Sequence, residues 1–576
     1  MINCIVVVGQ NLIEISEYKS NIKIETFNNR MAVIDYCPVN INLDVLNKKQ
    51  GKIMFWGIDE EIRQVKLDIR NLKNYSWFGT NLDNTTSVII TVSDNDIQGI
   101  VAHKTDLFRI ETIDNKYFMT KIDQSKYPKE EYGNHSMKKE EFKDIDYYPQ
   151  NDASESFYKM ISDEPFTCRL RLLVLYTPAA KNAVSNILNT IQLAVDEMKL
   201  SFINSNVNQD VELVYVGETN YVESSLSYSG ADNDLVRFSC TSDGYMDEVH
   251  NLREKHQADI CVLFYDDQSL CGIAKGIKVS AENAFCLVNY DCATGYYSFA
   301  HEIAHLIGCQ HHTSDPIHTG VSSAYPFAHG YKSPNNDWRT IMAYDCTGGC
   351  PRLLFWSNPN INFGGVPMGT TNSHNNARML NEKIPNAMAF LQPVNNLIVQ
   401  SSDISNSLGG DIIAKNKIET LGMVTIQSGQ NYSFRSGGEI ILGAGFTAEA
   451  GSNFVAEIVD INNCGQLDGE NSNFGVATDE PQYLTSDSKN IFQDFFVYPN
   501  PVDNTIQVSF NIEDKESVNI KVLNYVGSTV KDLGIHTISQ SFFHKEFNLS
   551  ELQSNIYFIV LLIEDKHMLV QKIIKK

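Results

Sequence analysis

The segment HEIAHLIGCQH, residues 301–311, limits what this chain can fold into more than any other feature of its sequence. His301 and His305 are four residues apart, so a helix places both imidazoles on one face. Gly308 is predicted to end that helix, because glycine readily adopts the positive φ of a sharp turn, and the turn brings His311 back toward the pair. Three imidazoles can hold one tetrahedral ion and leave its fourth position open, as in catalytic zinc sites.

Glu302 follows the first histidine and is close enough to take a proton from a metal-activated water. The rest of the predicted helix is apolar, which indicates burial nearly all round: Phe299, Ala300, Ile303, Ala304, Leu306 and Ile307. Buried His and Glu side chains need a ligand or a partner. The alternative is that these histidines are only hydrogen-bonded inside a core. It is disfavoured because chance matches that also include Gly308 and His311 are far rarer than a bare HExxH.

The chain has 576 residues, of which 46 are basic and 70 acidic, for a formal charge of −24. At roughly 100–200 residues per domain, this length predicts about three to five domains. Hydrophobic and charged contents of 43% and 20% exclude wholesale disorder. The acidic balance argues against a nucleic-acid-binding protein, because little basic surface is left to neutralise phosphates. No run approaches the ~18–20 apolar residues of a membrane-spanning helix.

Shifts in composition and periodicity divide the chain into five predicted regions. They are a β-rich region with its linker, an α/β domain, a short module of β-rungs, an acidic linker and a small antiparallel β-sandwich: residues 1–165, 166–393, 394–463, 464–490 and 491–576. We therefore expect a multidomain protein. Its catalytic α/β domain, a twisted mixed sheet plus the active-site helix, is flanked by β-rich regions.

Strands dominate the first region, with β-branched runs such as residues 87–92 and 99–103, and the charged, Tyr-rich residues 124–165 are typical of an exposed linker. The α/β domain begins with the apolar strand RLRLLVLYT. Thr177 and Pro178 then start one long helix with a single buried face, which is predicted to reach Phe202.

Later strands of the α/β domain are predicted at residues 211–217 and 258–265, with a helix between them that carries Met246, Val249 and Leu252. Past residue 393 the pattern changes to short strands, and glycines recur at steps of 8, 8 and 6 residues: Gly429, Gly437, Gly445 and Gly451. This spacing is typical of small β-rungs joined by tight turns.

The motif at residues 301–311 resembles a known family. HExxHxxGxxH is the signature of the metzincin zinc proteases, in which a methionine turn lies beneath the metal, and RTIMAYD supplies such a methionine at Met342. A thioether suits the irregular apolar floor under three imidazoles. Further segments resemble the bacterial reprolysin-like metalloproteases, and among them the peptidyl-Asp metallopeptidases, which cut beside acidic residues: HGYKSPNNDWRTIMAYDCTGGCPR, FWSNPNINFGGVPMGT and NNARMLNE.

The resemblance covers residues 169–393 and implies a metzincin fold. It also implies zinc-assisted hydrolysis of peptide bonds with one catalytic Zn²⁺, held by His301, His305 and His311, and with Glu302 as the general base. A substrate strand is then expected to add to the edge of the sheet at residues 271–276.

Three residues near the motif keep alternative roles. His312 stands where reprolysins usually place Asp after the third ligand; on spacing we take His311 as the ligand, and the role of His312 stays open. Tyr344 matches an extra, switchable ligand of astacins and serralysins, whereas in reprolysin-like enzymes this residue is usually structural. Arg352 lies in the segment that lines the primed-side pocket of metzincins. It either binds acidic substrate side chains there or pairs with a structural carboxylate.

Nine of the 12 cysteines fall within residues 168–350, and none forms the paired CxxC pattern of a cysteine-built zinc site. Cys346 and Cys350 enclose a tight loop and are expected to pair. Further candidates for disulfides are Cys271, Cys286 and Cys292. This density of cysteines predicts an oxidising compartment.

Residues 1–165 resemble a propeptide by their position and because they carry no site motif of their own, so a zymogen is expected. Cys4 or Cys37 could cap the zinc as a thiolate. The alternative is that each is an ordinary buried cysteine, since neither lies in a recognisable switch motif.

The end of the chain resembles the type IX secretion sorting domain of Bacteroidetes in three segments: FVYPNPVDN, SNIYFIVLL and QKIIKK. Asn555 replaces the glycine that usually precedes the isoleucine and tyrosine. The resemblance implies export by the type IX secretion machinery to a released or surface-attached state. The opening MINCIVVVGQ lacks the basic n-region of a signal peptide, and we expect the leader to be missing from this sequence.

We therefore predict a secreted zinc metalloendopeptidase that acts on protein or peptide substrates, is made as a zymogen and cuts beside acidic residues. The alternative is a surface adhesin whose protease domain is inactive. The intact Glu302 and the three spaced histidines argue against it, because a degenerate copy would be expected to have lost at least one of them.

Overall fold

The computed structural model describes residues 11–16, 30–43, 49–70, 73–93, 96–128, 169–224, 228–314, 325–391, 393–404, 409–458, 492–498, 502–512, 517–524, 529–537, 542–553, 555–563 and 567–575. The chain divides into two compact units, Met1–Gly469 and Glu470–Lys576. Within the described part of the chain, no helix has the length and apolar character needed to cross a membrane.

A closed barrel of nine strands opens the first unit, in the order β1-β2-β9-β8-β7-β6-β5-β4-β3. Its strands are β1 (Asn11–Ile15), β2 (Val33–Ile41), β3 (Gln50–Phe55), β4 (Ile58–Ile69), β5 (Asn74–Thr80), β6 (Thr86–Ser93), β7 (Asp96–His103), β8 (Asp106–Ile113) and β9 (Lys116–Ile122). The strands predicted at residues 87–92 and 99–103 are confirmed as β6 and β7. A short 3₁₀ helix, Gln124–Lys126, follows the barrel.

The sheet of the next region is built on parallel strands. Its strands are β10 (Leu170–Tyr176), β11 (Val211–Glu218), β12 (Ile260–Tyr265), β13 (Gly272–Ala274) and β14 (Phe285–Asn289). The order is β13-β14-β12-β10-β11, and only the edge strand β13 runs antiparallel to its neighbour. Every residue of β10, β12 and β14 is buried, as expected for parallel strands covered on both faces.

Six helices are described: α1 (Pro178–Ala183), α2 (Ile187–Asn204), α3 (Tyr228–Ser239), α4 (Glu248–His256), α5 (Ser298–Ile307) and α6 (Asn376–Ala387). The single long helix predicted from Thr177 to Phe202 is therefore wrong, because α1 and α2 are separate. Val184 is extended, and the Asn186 side chain caps α2 by accepting from the amide of Asn189. A side-chain cap that competes with the helical ladder outweighs the continuous apolar periodicity here.

The predicted rungs are present and stack in parallel. Two short strands, β15 (Asn358–Phe363) and β16 (Val366–Met368), precede them, and the rungs are β17 (Asn396–Val399), β18 (Gly409–Ala414), β19 (Lys417–Thr420), β20 (Val424–Ile426), β21 (Asn431–Ser436), β22 (Glu439–Ile441), β23 (Phe446–Ala448) and β24 (Asn453–Ile458). Parallel partners are 21 residues apart between β17 and β19 and 22 apart in the other parallel pairs of rungs, as Gly409 and Asn431 are. Strand β18 also pairs with β11, so the rungs continue the α/β sheet as β11-β18-β21-β24.

The second unit contains two antiparallel sheets, β25-β26-β29 and β28-β27-β30-β31, which share one apolar core. Their strands are β25 (Phe492–Tyr498), β26 (Thr505–Ile512), β27 (Ser517–Asn524), β28 (Thr529–Thr537), β29 (Phe542–Asn548), β30 (Asn555–Ile563) and β31 (His567–Lys575). This arrangement is the small sandwich predicted from the alternating pattern.

A charged cluster reinforces the joint between the α/β sheet and the rungs. The Arg435 guanidinium on β21 donates to Glu212 on β11 at 3.1 Å and to Asp411 on β18 at 2.6 Å. Burial raises the pKa of Glu212, but Arg435 and Arg169 outweigh this effect and lower that pKa below its usual value. The Arg435 guanidinium thus bridges both carboxylates.

We predict that Arg435→Met destabilises the first unit by about 2–3 kcal/mol. This is less than the ~3–5 kcal/mol of a fully buried pair, because the Glu212 side chain is 18% exposed. All four tryptophans lie in this unit, so denaturant unfolding followed by tryptophan fluorescence measures it selectively. Lys417→Met removes the exposed Lys417–Glu419 pair of the same rungs and should change stability by less than ~0.5 kcal/mol. Equal effects of the two substitutions would contradict the prediction.

Candidate metal centre

Helix α5 carries the first two histidines through the buried interior. All ten of its residues are buried, and it ends at Gly308, whose φ is 126°. The amide of Gly308 donates to the carbonyls of Ala304 and His305. A Cβ at this position would lie 2.2 Å from the terminal methyl of Met379, which can move aside, so it is the positive φ of the turn that favours glycine here.

The three imidazoles predicted as ligands converge on one point. The Nε2 atoms of His301 and His305 are 3.1 Å apart. The Nε2 atom of His311 lies 3.2 Å from that of His301 and 2.9 Å from that of His305. Tetrahedral zinc with Zn–N bonds of ~2.0–2.1 Å would separate its ligand nitrogens by about 3.3–3.4 Å, so this donor set fits zinc. Among the described residues, this is the one group of three or more His, Cys, Asp or Glu side chains that could share an ion.

The other ring nitrogens orient the first two ligands. His301 Nδ1 donates to the carbonyl of Ile341 at 3.0 Å, and His305 Nδ1 donates to that of Cys309 at 2.9 Å. A carbonyl only accepts, so both protons are on Nδ1 and the Nε2 lone pairs face the centre. Burial, together with the nearby charge of Arg352, lowers the pKa of His305 to about 4 and that of His301 well below its usual range. Both rings are therefore neutral at pH 7, as ligands must be.

The third ligand is held differently, because it lies outside the helix. The ring of His311 contacts the ring of Tyr344, with centroids 3.9 Å apart. Met342, predicted to lie beneath the metal, is fully buried, and the residue before it, Ile341, supplies the carbonyl that orients His301. The methionine turn is thus packed against the ligand set.

Glu302, the residue after the first ligand in α5, contacts the edge of the sheet. A Cβ built on Gly272 would come within 2.7 Å of Glu302 Cγ and 2.8 Å of its Oε1, so the carboxyl group rests against β13. The edge predicted at residues 271–276 contains β13, which is the last of the described strands on that side of the sheet. A chain lying along this edge would pass beside the Glu302 carboxyl group.

His312 turns away from the three ligands. Its Nδ1 is 2.8 Å from Ser314 Oγ, and its ring stacks on His374 with centroids 4.8 Å apart. The spacing argument that selected His311 rather than its neighbour therefore agrees with the geometry.

Arg352 is close to the ligands but deeply buried, at 1% exposure. Its guanidinium donates to the carbonyls of Tyr296 and Ala343, at 3.0 Å and 3.4 Å, and lies over the Tyr296 ring. The backbone of Arg352 faces the N-terminal region: its amide donates to Gln124 Oε1 at 2.6 Å, and its carbonyl accepts from Gln124 Nε2 at 3.1 Å.

Two disulfides are formed among the cysteines that the structure describes. Cys346 and Cys350 pair, as predicted, and of the three further candidates Cys271 and Cys292 pair whereas Cys286 is a buried free thiol. Cys37 lies in the apolar core of the barrel, where burial raises the pKa of its thiol to about 12. The structure therefore places Cys37 away from the three histidines, and Cys4 lies outside the described residues.

The barrel and the short segment that follows it bind the loop that leads into α5, a contact that the sequence did not predict. Arg109 on β8 is buried and donates to the Asp291 carboxylate at 2.8 Å and to the carbonyls of Asp291 and Thr294. Gln124 donates to the carbonyl of Gly295, and Tyr127 stacks on Tyr296. The available signal was a single arginine inside the apolar run LFRI of β8.

Sequence comparisons follow these regions. Residues 165–357 match the metallo-peptidase family M12, and residues 496–576 match a secretion system C-terminal sorting domain. A peptidyl-Asp metalloendopeptidase of Stenotrophomonas maltophilia (strain R551-3) is 35% identical over 363 residues, which is 59% of this chain and 83% of the relative. The enzyme of the same name from Xanthomonas campestris pv. campestris is 35% identical over 57% of this chain and 78% of its own length, and that of S. maltophilia (strain K279a) is 39% identical over 52% and 69%.

We predict that His311→Ala loses the metal and that His312→Ala keeps it. Wild type should hold one Zn²⁺ per chain after gel filtration, measured by elemental analysis. Removing one of three ligands should reduce the retained zinc well below one equivalent, because two imidazoles alone cannot fill a tetrahedral site. Zinc loss in the His312 variant but not in the His311 variant would reverse the assignment.

Proposed function

We propose, from the premise that this chain belongs to the peptidyl-Asp metalloendopeptidase family, that its metal is one catalytic Zn²⁺ held by His301, His305 and His311, with Glu302 as the general base. Family membership makes the chain a metalloendopeptidase that acts on protein substrates. Its C-terminal sorting domain indicates type IX secretion, so the enzyme is secreted or attached to the cell surface.

One observation carries this proposal: three imidazoles converge within about 3 Å, and the carboxyl group of the helix residue next to the first of them lies against β13, the edge strand of the described sheet. Zn²⁺, when bound, supplies the Lewis acidity that activates a water molecule and polarises a carbonyl group. The substrate chain hydrogen-bonds along β13, which brings its scissile bond beside Glu302. Glu302 takes a proton from the water and then delivers it to the leaving amine.

Tyr344 is a candidate extra ligand or transition-state group. Its ring contacts that of His311, so a movement of the Tyr344 ring would change the packing around the third ligand. Met342 and Gly308 are proposed to have structural roles at the site: Met342 is fully buried beside Ile341, whose carbonyl orients His301, and Gly308 allows the chain to turn.

We predict that Glu302→Gln keeps one zinc per chain and loses proteolysis by roughly 10²–10⁴-fold, the usual contribution of a general base. Caseinolysis of the secreted protein, with and without a chelator, measures this activity, and elemental analysis measures the zinc. A Glu302→Gln variant with full activity would remove the assignment. A wild-type protein that binds a protein without hydrolysing it, and that needs no metal to do so, would instead support the alternative of an adhesin with an inactive protease domain.

We further propose that the chain is made as a zymogen, with residues 1–165 as the propeptide. Several barrel contacts support this proposal. The Gln124 side chain hydrogen-bonds to both the amide and the carbonyl of Arg352, in the segment that follows the methionine turn. Arg109 and Gln124 also donate to carbonyls of the loop before α5. While the barrel is docked, a substrate cannot use these groups of the primed side.

Preference for acidic residues is proposed to come from Arg352. Arg339 lies beside it, and both guanidinium groups pack against Tyr296 and donate to the carbonyl of Ala343. They supply positive charge close to the ligands in a buried setting, where an acidic side chain is attracted more strongly than in water. The relatives are called peptidyl-Asp metalloendopeptidases, a name that agrees with this preference.

We predict that cleavage within residues 129–168 raises activity and that Arg352→Gln then weakens the preference for acidic residues. Mass spectrometry identifies the processed species, and profiling of peptide-library products gives the preference of each form. The processed Arg352→Gln enzyme should still cut casein, because the ligands and Glu302 are retained. An unchanged preference for acidic residues in Arg352→Gln would refute the role of Arg352 in the pocket. An unprocessed chain as active as the processed one would refute the zymogen proposal.

A further inference from the structure

The third histidine needs support that the first two do not. His301 and His305 are fixed by helix α5, but His311 follows the Gly308 turn, so its position depends on the neighbouring backbone. That backbone pairs with a second short segment, residues 328–330. Gln310 donates to the carbonyl of Ala328 at 2.8 Å, and its own carbonyl accepts from Gly330 at 2.9 Å.

His329 lies at the centre of this pairing and is 6% exposed. Its Nδ1 is 2.8 Å from the carbonyl oxygen of His311, and because a carbonyl only accepts, the imidazole is the donor. The carbonyl of His329 in turn accepts from the buried Ser357 hydroxyl at 2.6 Å. Asn376, the first residue of α6, donates to Ser357 Oγ and to the carbonyl of Ala328. A chain of buried hydrogen bonds thus connects α6 to the third ligand.

The same segment also fixes the distance to the methionine turn. A Cβ built on Gly330 would lie 2.6 Å from the amide nitrogen of Ala343 and 2.6 Å from the carbonyl carbon of Met342. These are backbone atoms that cannot move aside as a flexible side chain would. Residues 328–330 therefore touch the ligand segment on one side and the methionine turn on the other.

We propose that His329 is a positioning residue for the metal: its hydrogen bond to the carbonyl of His311 holds the third ligand in register with the other two. This proposal rests on the proposed function, in which the three histidines bind Zn²⁺. Residues that orient metal ligands typically contribute about 10–100-fold to metal affinity. The competing explanation is that His329 is only a hydrogen-bonded core residue, in which case its loss affects folding and not the metal.

The test compares His329→Leu, which removes the donor, with His329→Gln, whose carboxamide N–H can still donate. The control is His374→Leu, which removes a nearby imidazole that contacts Thr370 and Thr313 instead of a ligand. All variants are made in the full chain. Zinc affinity is measured by competition with a chelator, the ligand field by the absorption spectrum of the Co²⁺-substituted protein, and stability by thermal unfolding of the metal-free protein.

We expect His329→Leu to weaken zinc binding roughly tenfold or more and to alter the Co²⁺ spectrum, with little change in metal-free unfolding. His329→Gln should recover most of the affinity, and His374→Leu should match wild type. Zinc affinity of His329→Leu within twofold of wild type would overturn the proposal. So would an affinity loss that only parallels a loss of metal-free stability and is not rescued by Gln.

If His329→Leu fails to fold, Ser357→Ala provides the second test, because it removes the hydroxyl that holds the carbonyl of His329. We expect a smaller loss of zinc affinity, about threefold, and an unchanged affinity would contradict the proposal. The wild-type measurement separates this inference from the proposed function. A wild-type protein that binds no zinc refutes the metal site itself, whereas tight zinc binding by wild type and every variant refutes only the role of His329.

Discussion

Three imidazoles have to reach one point inside a buried domain, and a single helix can present only two of them. The spacing of His301 and His305 solves the first part, since residues four apart share a helix face. The third imidazole has to come from a chain that reverses direction, which Gly308 allows at a φ of 126°. Once the chain has left the helix, its position depends on partners elsewhere, and residues 328–330, the methionine turn and the first residue of α6 all contact this region. These three segments, all of which follow α5 in the chain, thus contribute to the position of the His311 side chain.

The start of α5 is constrained as strongly as its end. The loop from Asp291 to Tyr297 has its carbonyls bound by arginines from two directions: Arg109 of the barrel and Arg352 of the segment after the methionine turn. The disulfide Cys271–Cys292 joins the same loop to the start of the edge strand. The barrel therefore binds the loop that leads into the helix with the first two ligands, through Arg109 and not through a contact with those ligands.

Local sequence signals predicted the parts of this protein whose causes are local. The spacing of the histidines, the turn at Gly308, the apolar strand at Leu170–Tyr176 and the glycine-stepped rungs follow from short-range geometry, and the structure contains each of them. The break between α1 and α2 escaped prediction because the Asn186 cap competes with a continuous apolar stripe. The carboxamide of Asn186 also donates to Asp96 of the barrel, a partner 90 residues away. The barrel contacts of Arg109 and Gln124 and the role of residues 328–330 depend likewise on partners far along the chain, which periodicity cannot identify.

The two regions that flank the catalytic sheet are attached in physically different ways. The rungs continue the sheet through β11 and β18, and Arg435 joins buried carboxylates across that joint, so their separation would break backbone pairing and leave charges without compensation. The described barrel closes on itself and shares no strand with the catalytic sheet. Its contacts are side-chain packing in an apolar core that it shares with the α/β domain, and charged or polar pairs such as the buried Arg109–Asp291 and Lys199–Asp68. Separation at the barrel would therefore expose side-chain surface and break ion pairs, whereas separation at the rungs would break backbone pairing of the sheet itself.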